Sequence, residues 1–569
     1  MFLHAPSVYD FRKRSIFYGP VSDLVPSTPV FEMYPFGFTT MANRLARDGY
    51  RVRIINLASM MLNDPKLDVE ALVGKLRSAV FGIDLHWLPH AHGSLAVAEM
   101  VKRLHPDSKV LFGGFSSSYY HEELVRYPQV DLVLRGDSVE EPLAQMMAAL
   151  EKGGDLSKVP NLTWKREGQV QVNDLTHVPD DLDHLEIDYG WIIRSVIRHR
   201  DLEGAKPFKD WDRYPLTAVF TARGCTQCCA VCGGSCGAMR RVLGRTKAAF
   251  RSPENVAQDV YDVQCYLDAP VFVVGDVRQN GDGYAERFFR RCRELGIDNH
   301  VVLELFTPAP ASYFEEARKT FGRYSIQFSP DSHEERVRYA LGRRFDNPSV
   351  EKSISHALSS DCQRFDMFFM IGLPEQTPGS ALESADYTRK LYAQNGNDHR
   401  LLVYTSPLAP FLDPGSFAFE NPEKYGYRLF ARTLEEHRAR LESPNWRDVL
   451  SYETVNMTRD DIVEVSYNAA DRLNQVRVEV GLMTAEELKV REERSRDARQ
   501  LMSEVDMAMT IEDLREREAA MIVLKRRGDD LMESTICQKR ELEWDTPSVF
   551  RSLPRVMRSL LFRRRPRSG

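Results

Sequence analysis

Short apolar runs alternate with stretches of helical period through the first quarter of the chain. Runs at 2–5, 51–55, 79–83, 109–112 and 131–134 read as strands. The stretches 38–48, 69–77, 93–104, 122–127 and 140–151 carry apolar residues at helical spacing. Strands alternating with helices predict a parallel sheet covered on both faces. Ligands on such sheets bind at the carboxyl ends of the strands. The loops there are Gly113-Gly114-Phe115-Ser116-Ser117-Ser118 and Arg135-Gly136-Asp137-Ser138. Glycines let a ligand approach the backbone, and serines hydrogen-bond phosphate or amide groups. Residues 153–210 read as a linker, with scattered prolines, an Asp-rich run and an alternating segment at 161–170 that turns at Glu-Gly as a hairpin. A second series of strands follows at 216–220, 271–274, 301–305, 324–328, 365–371 and 401–404, with helical stretches between them. These repeated units predict a partial (β/α)6 TIM-type barrel over 211–405, with its site at the strand carboxyl ends. Residues 406–480 are rich in aromatics and prolines and suit a lid or substrate segment; its candidate contacts are Asp413, Glu420, His437, Trp446 and Tyr452. Residues 481–569 are charge-rich at helical spacing and end in a basic tail.

Composition narrows the class without naming it. The chain has 569 residues, 43% hydrophobic and 28% charged, which is ordinary globular usage. A net charge of -6 gives no reason to expect nucleic acid. No apolar run approaches the roughly 20 residues of a membrane span. The opening residues lack a basic region followed by a long apolar one, so a cytoplasmic location is expected. The basic tail allows weak peripheral contact with an anionic membrane surface.

The chemistry is concentrated in the segment 220–236, FTARGCTQCCAVCGGSC, which holds five of the nine cysteines. Cys225, Cys229 and Cys232 stand at C-x3-C-x2-C. A frame begun at Cys228 puts its third ligand on Ser235, and one begun at Cys232 puts it on Met239, so only the first is complete. Thiolates this close in a loop converge on a soft metal centre. Three ligands to an iron–sulfur cubane leave one iron open. Cys228 and Cys236 are then spare. The alternative is zinc on the pairs Cys225/Cys228 and Cys229/Cys232, although zinc ribbons separate their pairs by many more residues. A disulfide is not expected in a chain of this size without a secretory signal.

C-x3-C-x2-C just after an apolar strand resembles the signature of the radical S-adenosylmethionine (SAM) superfamily. The resemblance implies a [4Fe-4S] cluster on Cys225, Cys229 and Cys232, with SAM chelated at the open iron and cleaved by one electron to methionine and a 5′-deoxyadenosyl radical. The segment FFMIGLPEQT resembles the family's fifth-strand G-L-P-x-x-T, which places Gly372, Leu373 and Pro374 beside the adenine. SIQFSPDSHEERVRYALGRRF stands where the family has its fourth-strand segment, without the usual Glu. Ser329 and Asp331 there suit the ribose or methionyl part, and Arg343 suits the SAM carboxylate. VFVVGDVRQNG ends the second strand with Gly275 and Asp276, placed for the SAM amino group. Glu304 with Thr307 also ends a strand. For each carboxylate, a helix cap is the bland alternative.

LFGGFSSS followed by a strand and RGDSVEEPL resembles the cobalamin-binding domain that precedes many radical SAM barrels. It implies an N-terminal flavodoxin-like or Rossmann-like domain over 1–152, with Gly113, Gly114, Ser116 and Gly136 as cobalamin neighbours. Many cobalamin domains carry D-x-H-x-x-G after the first strand, and its His ligates cobalt. Here Asp84-Leu85-His86 has the D-x-H spacing but follows the third strand and lacks the Gly, so cobalamin without a histidine ligand is the expectation. His86, His90 and His92 otherwise read as packing or surface residues. The implied cofactors are the [4Fe-4S] cluster, SAM and cobalamin, and the implied partners are a substrate not legible in the sequence and an electron donor such as flavodoxin or ferredoxin. The implied activity is methylation of an unactivated carbon. A cobalamin-using radical cyclase or rearrangement enzyme, and a non-catalytic cluster- and corrin-binding protein, remain the alternatives.

Overall fold

The computed structural model describes all residues except 15, 16, 18, 24–27, 29, 186, 532–535, 545, 547, 548 and 563–569. The arginine-rich end of the tail therefore lies outside the described residues. Near the N-terminus, β1 (Phe2–His4), β2 (Ile54–Asn56), β3 (Val80–Asp84), β4 (Lys109–Gly113) and β5 (Leu132–Leu134) form a parallel sheet. Its order is β2-β1-β3-β4-β5, so the strand sequence reverses between β1 and β3. The five residues of β3 are all buried, as expected of a strand covered by helices on both faces. The hairpin β6 (Leu162–Arg166) and β7 (Gln169–Val172) does not hang in a linker. It pairs antiparallel to β5 and extends the same sheet to seven strands among the described residues.

A second sheet takes β8 (Thr217–Phe220), then, after the short ladder of β9 (Ala222–Arg223) and β10 (Ala249–Phe250), β11 (Val271–Val274), β12 (Val301–Leu305), β13 (Tyr324–Asp331), β14 (Arg364–Ile371) and β15 (Leu401–Pro407). Its six strands are parallel and follow one another in chain order. Sequential order without a reversal is the order of a (β/α) barrel segment, in contrast to the first sheet. The pairing of β13 with β14 shifts between Phe328 and Asp331, and Asp331 takes a left-handed φ of 67°. This irregularity lies at a strand's carboxyl end, where a bulge re-aims side chains.

The C-terminal helices are part of the body. Arg459–Glu479 packs on β15 and on the helix Pro378–Gln394. Ala485–Met509 packs on it and Leu514–Leu531 packs on Ala485–Met509, and their buried side chains share one core with Ile371 and Leu373. Trp544 stacks beside Tyr214 and packs with Val302, and Tyr404 donates to the Glu541 carbonyl at 2.8 Å. The segment 537–544 thus anchors itself to the second sheet.

Two buried ion pairs join the two sheets. Arg245 donates through Nε and Nη2 to the Asp137 carboxylate at 2.5 and 2.8 Å, and Arg223 donates twice to Glu140 at 2.9 and 2.5 Å. The two arginines flank the cysteine loop, and the two carboxylates belong to RGDSVEEP. Burial pushes the Glu140 carboxyl up, but the Arg223 charge and its hydrogen bonds outweigh that and hold it at about 2, below the ordinary 4.5. A depressed acid stabilises the fold above its unfolded pKa and loses that contribution as pH falls through its folded one. We therefore expect acid to loosen the junction between pH 4.5 and about 2. Glu140→Gln should remove that transition from the thermal-unfolding profile, at the cost of lower stability at neutral pH.

Candidate active site

The cysteine loop is held at both ends. The Ala230 N–H donates to the Leu341 carbonyl at 2.8 Å, and the Gly233 N–H donates to the Asp413 carboxylate at 2.8 Å. A Cβ on Gly342 would stand 2.9 Å from the Cys228 carbonyl oxygen, so the loop lies directly on the Leu341–Arg343 backbone. Cys228 is joined to Cys236, contrary to the expectation of no disulfide. That pairing withdraws Cys228 from the four-thiol set a zinc site would require. Cys225 and Cys229 are half-buried and Cys232 is exposed. Burial pushes the Cys225 thiol up to about 11 and raises those of Cys229 and Cys232 as well. The three thiols lie within electrostatic range of one another. Among the described residues no three His, Cys, Asp or Glu side chains are grouped for a single metal ion. Three thiols on one loop, within electrostatic range of one another, suit an iron–sulfur cluster with one iron open, and thiols with raised proton affinity need the metal to be stable as thiolates.

Arg343 ties this loop to the strand ends. Its Nη1 stands 3.9 Å from Cys229 Sγ, its Nη2 donates to the Phe306 and Ser329 carbonyls at 2.7 Å each, and its Nε stands 3.1 Å from Asp331. Burial raises the Asp331 carboxyl, against the pull of Arg343. Asp276 is likewise engaged, by Arg278 and by the Phe306 N–H at 2.9 Å. Gly275 has φ +93°, and a Cβ there would lie 2.5 Å from Thr221 Oγ1, so only glycine fits that strand end. Its N–H donates to Glu304 Oε2 at 2.7 Å. On the β14 side, Gln376 accepts from the Gly372 and Leu373 N–H groups at 2.9 and 3.2 Å and shapes the Gly372-Leu373-Pro374 turn. Gln376 was not singled out from sequence, although its place two residues after Pro374 is the signal.

Glu304 is the partly buried acid among these strand ends. Burial raises its carboxyl to about 7, helped by the charge of Asp276 and opposed by the Gly275 N–H and Arg343. A raised acid keeps its proton in the folded state after the unfolded chain has released it. Stability from this group is thus full below the ordinary 4.5 and declines as pH rises to about 7. The loss is on the order of 3 kcal/mol. Thermal unfolding of Glu304→Gln should lack the decline; an unchanged pH profile would contradict the assignment.

In the first domain, a cavity of about 290 Å³ opens at the carboxyl ends of β3, β4 and β5. Gly113, Gly114 and Gly136 line it, whereas Ser116 is buried outside the lining. Its walls are mostly apolar, with Phe38 and Met41 on one side and Met239 and Leu243, from the helix Cys236–Leu243 that leaves the cysteine loop, on another. Such a cavity suits a largely apolar group with a polar edge. Gly114 has φ +114°, and a Cβ there would meet the His86 backbone at 2.5 Å. Gly114→Val should therefore cost about 3 kcal/mol or more, read as a drop in the melting midpoint and a loss of whatever the cavity binds. The two sites adjoin, because a Cβ on Gly233 would stand 2.9 Å from the Phe115 ring. Among the lid candidates only Asp413 reaches the cysteine loop. Glu420 accepts from Tyr119, and His437, Trp446 and Tyr452 are core residues.

Comparison with known proteins adds to this geometry. The B12 binding domain family model matches residues 24–144. An anaerobic magnesium-protoporphyrin IX monomethyl ester cyclase from Synechocystis is 27% identical over 156 residues, which is 27% of this chain and 28% of that protein. The chain thus matches little more than a quarter of that relative's length. An uncharacterised methyltransferase from Pyrococcus horikoshii is 22% identical over 373 residues, 63% of this chain and 74% of that one. Among solved structures, the radical SAM methyltransferase TsrM from Kitasatospora setae, with cobalamin and a [4Fe-4S] cluster bound, is similar with a TM-score of 0.54 at 13% identity, covering 76% of this chain and 80% of that one. The cobalamin-dependent SAM radical enzyme OxsB, with aqua-cobalamin and SAM bound, is similar with a TM-score of 0.52 at 13% identity, covering 93% of this chain and 77% of that one.

Proposed function

We propose that this chain, which carries a B12-binding domain and has the fold of cobalamin-dependent radical SAM enzymes, reductively cleaves SAM at a [4Fe-4S] cluster and methylates an unactivated carbon. The observation that carries the reading is the meeting of two loops. The Gly113–Ser118 loop of the cavity touches the cysteine loop through Phe115 and Gly233. A radical made beside one cofactor can then be met by the other without crossing solvent.

Cys225, Cys229 and Cys232 hold the cluster, and Arg343 and Asp413 hold its loop in place. The Gly275 strand end leaves room for the methionyl part of SAM, and Glu304 supplies a carboxylate for its ammonium group. The turn Gly372-Leu373-Pro374, fixed by Gln376, packs the adenine. Gly113, Gly114 and Gly136 admit part of the cobalamin against the backbone of the first sheet. When bound, the cluster supplies one electron to SAM and cobalamin supplies a methyl group or a second electron. The substrate enters from the 406–480 segment, and a flavodoxin- or ferredoxin-class donor reduces the cluster. No helix of the described residues is long and apolar enough to cross a membrane, and we place the enzyme in the cytoplasm.

A second reading, radical cyclisation, is favoured by the 27% identity to the cyclase. The two differ in the fate of the SAM methyl group. In a reduced, cobalamin-loaded reaction with substrate-containing extract, methylation produces S-adenosylhomocysteine alongside 5′-deoxyadenosine and requires cobalamin. Cyclisation produces 5′-deoxyadenosine alone, and that outcome would move the assignment to the second reading.

A further inference from the structure

The geometry points to His86 as a lower axial ligand to the cobalt of a cobalamin seated at the cavity mouth. This inference rests on the proposed cofactor and departs from the expectation of cobalamin without a histidine ligand. Sheet order is the reason. β3 lies beside β1, at the strand reversal, so the loop after the third strand occupies the place where ligands bind on such sheets.

His86 lines the cavity, and its side chain is 31% exposed. Its Nδ1 lies 2.6 Å from Asp84 Oδ2, and Asp84 Oδ1 lies 2.9 Å from His4 Nδ1. His4 is fixed in turn by the Phe31 carbonyl, 3.1 Å from its Nε2. Asp84 is buried between the two rings, one carboxylate oxygen on each. A carboxylate oxygen facing Nδ1 favours the tautomer with the proton on Nδ1 and the lone pair on Nε2. Among the described residues His86 Nε2 makes no hydrogen bond. A carboxylate behind one ring nitrogen is how proteins orient a histidine whose other nitrogen binds a metal.

The support is rigid. The Leu85 N–H donates to the Gly113 carbonyl at 2.9 Å, the Ser117 N–H donates to the Leu85 carbonyl at 3.0 Å, and Ser94 Oγ donates to the Asp84 carbonyl at 2.7 Å. The neighbouring histidines are spoken for. His90 is buried with its Nδ1 near the Ala5 carbonyl, and His92 pairs with Glu442 at 2.7 Å. Only His86 of the three lines the cavity.

The test is the electron paramagnetic resonance spectrum of the full chain loaded with cobalamin and chemically reduced to cob(II)alamin. We expect a nitrogen triplet on the cobalt lines. It should become a doublet when the protein is grown with 15N-labelled histidine, and the splitting should disappear in His86→Ala while persisting in His90→Gln. His86→Gln gives the same readout with a side chain of similar size, should the alanine variant fold poorly. A triplet that ignores the label comes from the cofactor's own base and overturns the assignment. So does a spectrum without nitrogen splitting. A chain that binds no cobalamin overturns the cofactor reading itself, and is distinguished from both by the absence of cobalt in the purified protein.

Discussion

Cys225→Ala, Cys229→Ala and Cys232→Ala should each lose the cluster, with iron falling from about four per chain to near zero and SAM cleavage falling below detection. Cys228→Ser combined with Cys236→Ser should keep both. The contrast follows from the loop itself. Three thiols of the loop are free, and the other two are joined to each other. A four-thiol zinc site would respond differently, because Cys228 would then matter as much as its neighbours. Arg343 belongs to the same test at lower amplitude. Arg343→Ala frees Cys229 and Asp331 and opens two strand-end carbonyls, so cluster content should fall severalfold while the fold persists. Iron and acid-labile sulfide analysis reads all of these variants.

The second large effect lies between the domains. Arg245 is almost wholly buried, at 1% side-chain exposure, with Asp137 at 15%. Removing Asp137 leaves the guanidinium in low dielectric with only the Ser138 hydroxyl and the Pro179 carbonyl, which costs about 3–5 kcal/mol. That is a large share of what a domain has to spare. Asp137→Ala should therefore lower the melting midpoint by several degrees and loosen the cavity, since Asp137 also lines it. Replacing both partners, Asp137→Ala with Arg245→Met, should recover much of the loss, because no buried charge is then left unpaired. If the single and double variants melt alike, the ion pair is not what joins the domains there.

These effects divide along what a sequence can express. The strands of both sheets were legible because buried parallel strands are short apolar runs, and residues 131–134 differ from Leu132–Leu134 by one position. The three candidate cluster cysteines are legible because they stand within one short loop. The junction was not. Asp137 and Glu140 were read as part of a cobalamin motif, yet their partners lie 108 and 83 residues away, where no local period links them. The His4–Asp84 contact spans 80 residues for the same reason. The D-x-H at Asp84–His86 departs from the cobalt-ligand motif because it follows the third strand and lacks the Gly. Chain order and sheet order differ, and it is sheet order that brings His4 to Asp84. Glu304 was noted only as a strand-end residue, since its elevated proton affinity comes from burial that no single-residue pattern records.

The measurement that bears most directly on the whole account is anaerobic. The protein is reconstituted with iron, sulfide and hydroxocobalamin, reduced and given SAM, and 5′-deoxyadenosine is quantified. Wild type should form it and Cys229→Ala should not. No product from wild-type protein carrying a full cluster, or equal product from both proteins, would contradict the claim that this loop performs radical SAM chemistry.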